Sequence, residues 1–261
     1  MTQPWFTIYL TAVGAAVGSF LNVCIYRWPE GLSVVKPRSR CPVCENPIAW
    51  YDNIPILSWL ILRGRCRYCG THISVQYPLV ELVTALLWLA VALHYGPSLE
   101  AVRGGVFLSL LLGIAILDAR HRIIPDQLSL LGALAGLGLA LAPGGIGFVT
   151  ALIGAIVAYG FMWLIKLGGE AAFRKPALGV GDIHMMAMVG AFVGLSGAIL
   201  TIMLGSVFGL VIGVPLMSLK GRLRFLGTYL PLGTFLALGA AVAYVWGPAL
   251  IGWYLRLVLP G

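Results

Sequence analysis

Long apolar runs recur along almost the whole chain, and the charges that would give it a water-facing surface are missing. Of its 261 residues, 60% are hydrophobic and 10% are charged; a soluble domain carries roughly 25% charged residues. A chain like this folds as a polytopic membrane protein, because only helices or closed barrels satisfy their backbone within lipid. The runs place spans at about Phe6–Tyr26, Pro78–His94, Val102–Leu117, Leu128–Leu141, Phe148–Ile165, Ile183–Leu195, Ala198–Leu216 and Tyr229–Leu250. The expected fold is all-α, with about eight transmembrane helices and a small cytoplasmic zinc-ribbon-like module between the first two. The first run has no basic segment before it and no small-residue cleavage site after it, so it reads as a retained helix. The expected division is residues 1–26, first transmembrane helix; 27–77, four-cysteine domain; and 78–261, transmembrane core. There is no low-complexity segment and no convincing internal repeat.

Charge orients the spans. Loops after spans one, three, five and seven carry Arg27, Lys36, Arg38, Arg40, Arg63, Arg65 and Arg67, then Arg120 and Arg122, then Arg174 and Lys175, then Lys220, Arg222 and Arg224. The opposite side keeps Arg103 and Arg256. This asymmetry places those loops in the cytoplasm and both termini outside. The net charge of +8 then reflects topology and anionic lipid; scattered over four loops, it gives no reason to expect nucleic acid as a partner.

The chain holds only nine acidic residues. Asp118 closes span three, which runs inward, and Asp182 opens span six, which runs outward. Both carboxylates therefore share one membrane depth. Two carboxylates within a few ångströms cannot both ionise cheaply; sharing a proton, one serves as base on a water and the other as acid on a scissile carbonyl. Gly179 and Gly181 let the backbone before Asp182 turn tightly and let a neighbouring helix approach. Other uses fit the same residue types. Asp182 suits a helix cap, Asp118 an interfacial partner for Arg120 or Arg122, and the pair an ion or proton path. Asp126, after Pro125, reads as a plain cap.

Cys41–Cys44 and Cys66–Cys69 form two C-x-x-C pairs separated by 21 residues. That spacing suits a four-thiolate structural zinc, and reduced cytoplasmic thiols are free to bind metal. With four sulfurs committed, such a metal organises the loop and leaves no position for a reactive water. Cys24 reads as an ordinary buried thiol, and His72, His94 and His121 as structural or interfacial. Between the knuckles, Trp50, Tyr51, Ile54, Pro55, Leu57 and Trp59 suit either the membrane surface or a small module core.

Four blocks carry a resemblance to a known family: "GSFLNVCIYRWP" (Gly18–Pro29), the continuous Cys41–Glu81 stretch, "LDARHRIIPDQLSL" (Leu117–Leu130) and "GVGDIHMMAMVGAFVG" (Gly179–Gly194). Over nearly its whole length the chain resembles the bacterial type IV prepilin peptidases, leader peptidase/N-methyltransferases of the GxGD aspartic protease type. The resemblance implies an inner-membrane enzyme that cleaves prepilins and pseudopilins of type IV pilus and type II secretion systems. The cut falls after a glycine, and the new N-terminal residue is then methylated with S-adenosylmethionine. It also implies Asp118 and Asp182 as catalytic residues and Cys41, Cys44, Cys66 and Cys69 as the cysteine tetrad. Two departures stand out. His184 replaces a common lysine beside Asp182, where it would alter the local charge. Leu232 and Thr234 replace a common phenylalanine and proline, at positions expected not to touch the aspartates. No residue independently marks a site for S-adenosylmethionine. The competing readings are a proton-coupled transporter, which calls for midplane charges and matched broken helices, and a non-catalytic zinc scaffold.

Overall fold

The computed structural model describes residues 3–142, 145–175, 178–219 and 230–258. Lys220, Arg222, Arg224 and Tyr229, used above to place the last cytoplasmic loop and the last span, lie outside the described residues. Among the described residues, six helices are long and apolar enough to cross a membrane, and a shorter apolar one, Asp126–Leu139, joins them. The chain forms two compact units, Met1–Ser109 and Leu110–Gly261.

In the first unit, α1 (Pro4–Arg27) starts with a proline whose missing N–H costs nothing in the first turn. Gly14 and Gly18, one turn apart, admit α3 (Gln76–Tyr95) to backbone distance. A methyl group at Gly14 would sit 2.7 Å from Trp88, and one at Gly18 2.7 Å from the Glu81 Cα. Gly105, in α4 (Leu99–His121), makes room for the other side of Trp88, whose indole N–H donates to Ser109 Oγ at 2.9 Å.

Between α1 and α3 lies the cysteine module, with one 3₁₀ turn (Trp50–Asn53) and one short helix, α2 (Leu57–Ile61). Here the structure corrects the absence of a repeat. "RCPVCENPI" and "RCRYCGTHI", 25 positions apart, fold alike. In each, the first cysteine N–H donates to a carbonyl five residues on, Cys41 to Asn46 at 3.0 Å and Cys66 to Thr71 at 2.8 Å. Each isoleucine N–H returns to a carbonyl nine residues back, Ile48 to Ser39 and Ile73 to Gly64. Each turn needs a left-handed residue after its second cysteine, Glu45 (φ 57°) and Gly70 (φ 69°). The divergence of E-N-P from G-T-H hides the repeat in the sequence.

The second unit contains the end of α4, α5 (Asp126–Leu139), α6 (Phe148–Phe173), α7 (Val180–Phe208), α8 (Val214–Leu219) and α9 (Leu232–Val258). A π-helical turn, Gly209–Gly213, joins α7 to α8. The apolar stretch Val180–Leu216 is 37 residues long, about 55 Å as one straight helix against a hydrocarbon core of about 30 Å. It is not straight. Gly194 has φ 69° and ψ −175°, outside helical geometry, and the chain reverses there. Before it, Gly132 meets Met188 and Gly136 meets Phe192, so this limb runs parallel to α5. Beyond it, Thr201 meets Gly239, Gly205 meets Leu236 and Gly213 meets Leu230, so the second limb runs antiparallel to α9. Since α5 and α9 start at the same end of this unit, near Asp118, the two limbs of α7 run in opposite directions. The two limbs match the expected sixth and seventh spans.

Small residues make these contacts possible. Gly154 of α6 and Gly190 of α7 meet backbone to backbone, with no room for a Cβ on either. Buried methionines, Met185, Met186 and Met188, fill the irregular spaces between the helices.

Candidate functional site

Asp118 lies in the last turn of α4 and is 6% exposed. One of its oxygens is held from a residue 116 positions away. The Thr234 backbone N–H donates to Oδ2 at 2.7 Å, and the Thr234 hydroxyl lies 3.0 Å from the same oxygen. The first turn of α9 makes this possible because Gly233 carries no side chain. A Cβ there would lie 3.2 Å from Asp118 Oδ2 and 2.5 Å from Ile124. This corrects the expectation that the late block keeps clear of the aspartates.

Asp182 occupies the third position of α7, after the Gly179 cap. It accepts the Gly179 N–H, the reciprocal half of a capping box; Gly179, not Asp182 as the cap reading had it, holds the cap position. Its Oδ1 is buried and has no hydrogen-bond partner among the described residues. A buried carboxylate oxygen without a donor is costly and marks a place where a proton, a water or a substrate atom is expected. Gly181 packs against Ile124, where a Cβ would lie 2.8 Å from the Ile124 side chain; the same Ile124 abuts Gly233. Ile124 thus ties the Asp182 loop to the Asp118 loop, and the two carboxylates are close enough to interact electrostatically.

His184 does not face this pair. Its Nδ1 lies 2.7 Å from Asp126 Oδ1, and its ring stacks on Tyr159 with centroids 6.0 Å apart. Asp126 is correspondingly not the plain cap expected of it. Pro125 holds the cap position, and the Asp126 carboxylate is given to histidine.

In the first unit, all four expected metal-ligating cysteines come together. Their sulfurs lie within 4.8 Å of one another, with Cys41–Cys69 at 3.7 Å and Cys44–Cys66 at 4.0 Å. Four sulfurs at about 2.3 Å from a central zinc would be about 3.8 Å apart, so the cluster has the size of a tetrahedral site. Backbone N–H groups of Cys44 and Val43 draw the Cys41 thiol down to about 6, towards the thiolate that a metal needs. Arg67, within the second knuckle, holds Asp52 in a bidentate pair at 2.5 and 2.7 Å. This guanidinium keeps the Asp52 carboxyl below its ordinary range.

The fold and these residues define a class: a multi-pass helical membrane protein with two convergent carboxylates in one unit and a thiolate cluster able to hold a metal ion in the other. Comparison with known proteins narrows it. Residues 12–95 match the Bacterial Peptidase A24 N-terminal domain, and residues 105–214 match the Type IV leader peptidase family. A prepilin leader peptidase/N-methyltransferase of Myxococcus xanthus is 44% identical over 219 residues, covering 84% of this chain and 65% of that one. Proteins of the same name from Aeromonas hydrophila and Pseudomonas putida are each 34% identical, over 97% and 95% of this chain and 95% and 93% of theirs. The chain belongs to the type IV leader peptidase family. No solved structure matches it significantly.

Proposed function

We propose that this chain is a prepilin leader peptidase with N-methyltransferase activity, and that Asp118 and Asp182 cut the peptide bond. The observation that carries the reading is their pairing in one unit, each anchored through one oxygen. Thr234 holds Asp118 Oδ2 and Gly179 holds Asp182, leaving Asp182 Oδ1 without a partner. In the reaction one carboxylate takes a proton from water as its oxygen attacks the scissile carbonyl carbon. The other carboxyl gives its proton to the carbonyl oxygen. Collapse of the tetrahedral diol breaks the C–N bond, and the amine leaves with a proton from the dyad. By resemblance the substrate is a prepilin or pseudopilin, cut after the glycine that precedes its hydrophobic helix. A carboxylate pair at helix ends meets such a bond near the membrane surface and needs no deep channel.

The basic loops support a cytoplasmic position for the carboxylates and the cysteine module in a bacterial inner membrane. Cys41, Cys44, Cys66 and Cys69 would hold a structural Zn²⁺, whose role is to tie the two knuckles together. The methyl transfer rests on the relatives' name and on the family resemblance. S-adenosylmethionine would supply an electrophilic methyl group for the new terminal amine.

The test is cleavage of a purified prepilin by detergent-solubilised Asp118→Asn and Asp182→Asn. Each should lose at least a factor of ~10² in rate, the lower end for removing a general acid or base, while still inserting in membranes. Wild-type rate in either variant would overturn the dyad, and mass spectrometry of the product reports the cut position and the methyl group together.

A further inference from the structure

The segment joining the two cysteine knuckles dips towards the apolar part of the first unit. Ile56 is its hinge. It has φ 64° and ψ −53°, and Leu57 N–H closes onto Pro55 O at 2.6 Å, making a three-residue γ-turn. This conformation is rare for a β-branched residue and is retained only where surroundings impose it. Here they do so through Glu81. Its carboxylate, in α3 and 8% exposed, accepts the Ile56 N–H at 2.7 Å. Ser19 of α1 hydrogen-bonds to the same carboxylate.

These contacts set a depth. Glu81 is five residues into α3, about 7.5 Å from its first residue, and Ser19 is eight residues before the end of α1, about 12 Å from Arg27. The Ile56 turn is thus held more than one helical turn inside the ends of both helices. There it helps line a groove of about 430 Å³ with Ala15, Leu82 and Ala85.

Directly after Ile56, α2 turns two faces in opposite directions. Ser58 and Trp59 look inward, hydrogen-bonding Tyr51 O at 3.0 Å and Ile73 O at 3.1 Å. Leu57, Leu60 and Ile61, on the other face, are 57%, 58% and 76% exposed. They are therefore not the core of the module. Exposed Trp50 and Tyr51 precede the segment and Arg63 and Arg65 follow it, the residue types that sit at headgroup level around a buried apolar face.

We propose that Ile54–Ile61 is a membrane-inserted wedge: its Leu57–Leu60–Ile61 face rests among lipid chains of the leaflet that borders the module, and Glu81 is the latch that holds it there. The commitment to lipid follows from the depth of the latch and from continuity with the apolar faces of α1 and α3. The proposal is independent of the dyad.

A photoreactive p-benzoylphenylalanine at Leu60 of the full chain, in phosphatidylethanolamine–phosphatidylglycerol vesicles, tests this. Ile8, exposed on α1, and Val35, exposed in the loop, are the reference positions. Irradiation should give lipid adducts at position 60 at the level found at Ile8 and well above that at Val35. Adducts at the Val35 level, or crosslinks mainly to a second copy of the chain, would overturn the wedge. Glu81→Ala should lose the position-60 adducts and keep those at Ile8, whereas Glu81→Gln, which retains an acceptor, should keep both. Unchanged adducts in Glu81→Ala would overturn the latch. The comparison of positions 60, 8 and 35 in the otherwise wild-type chain decides the wedge whatever these variants do.

Discussion

The cysteine module and the helical unit that carries Asp118 and Asp182 are stabilised by opposite means. The module buries almost nothing; from residue 30 to 75 only Cys41, Ser58 and Gly64 are buried. Its order comes from two knuckle turns, the Arg67–Asp52 pair and four sulfurs. The helical unit buries Leu111, Ile114, Met185, Met186 and Phe192 and closes on itself through glycine contacts. The module has little apolar interior to hold it and four sulfurs placed to share a ligand, whereas the helical unit is held by the shape of its interior.

The sharpest way to break this contrast is Cys66→Ser. On the zinc proposal it removes one ligand from a site of a kind that contributes ~10 kcal/mol or more to folding. The module should become sensitive to proteases and lose its metal, as read by elemental analysis, while the helices stay inserted. Gly190→Val attacks the other unit. The new side chain meets the Gly154 backbone, which cannot move aside as a side chain can. The cost should reach or pass the upper end of the ~1–3 kcal/mol typical of overpacking. A thermal melt of the detergent-solubilised protein would show it, with metal content unchanged. Next comes Thr234→Val, which keeps the backbone N–H and deletes the hydroxyl. A hydrogen bond to a charged group contributes about 1.5 kcal/mol or more, so kcat should fall by about tenfold with KM steady, and Thr234→Ser should restore it.

The smallest effect belongs to Arg67→Met. Asp52 is held below its ordinary range by the Arg67 guanidinium, so the pair stabilises the folded module above about pH 4. That contribution fades as pH falls through the lowered value. The variant should therefore melt slightly lower at neutral pH and show less further loss between pH 4 and 2 than wild type.

Much of the helical unit was legible in the sequence because apolar runs and basic loops are local signals, and cysteine spacing made the module legible in the same way. The carboxylates could be matched in depth because each sits at a helix end whose direction charge reveals. Thr234 was missed because its partner is 116 residues away and nothing in "LGTF" announces a carboxylate. The pairing of His184 with Asp126 was hidden for the same reason. The reversal within α7 was expected between two spans, but nothing marked Gly194 as the turning residue. Gly190 and Gly197 stand beside it, and only packing shows which glycine adopts φ 69°. The knuckle repeat escaped because Glu45 occupies a left-handed position that glycine fills in its twin.

That turn at Gly194 leaves no handle beyond the bilayer. With one residue between the limbs, there is no hydrophilic stretch to thread across first and fold behind. Val180–Val193 and the limb that follows should therefore insert together, as one hairpin, and not one after the other.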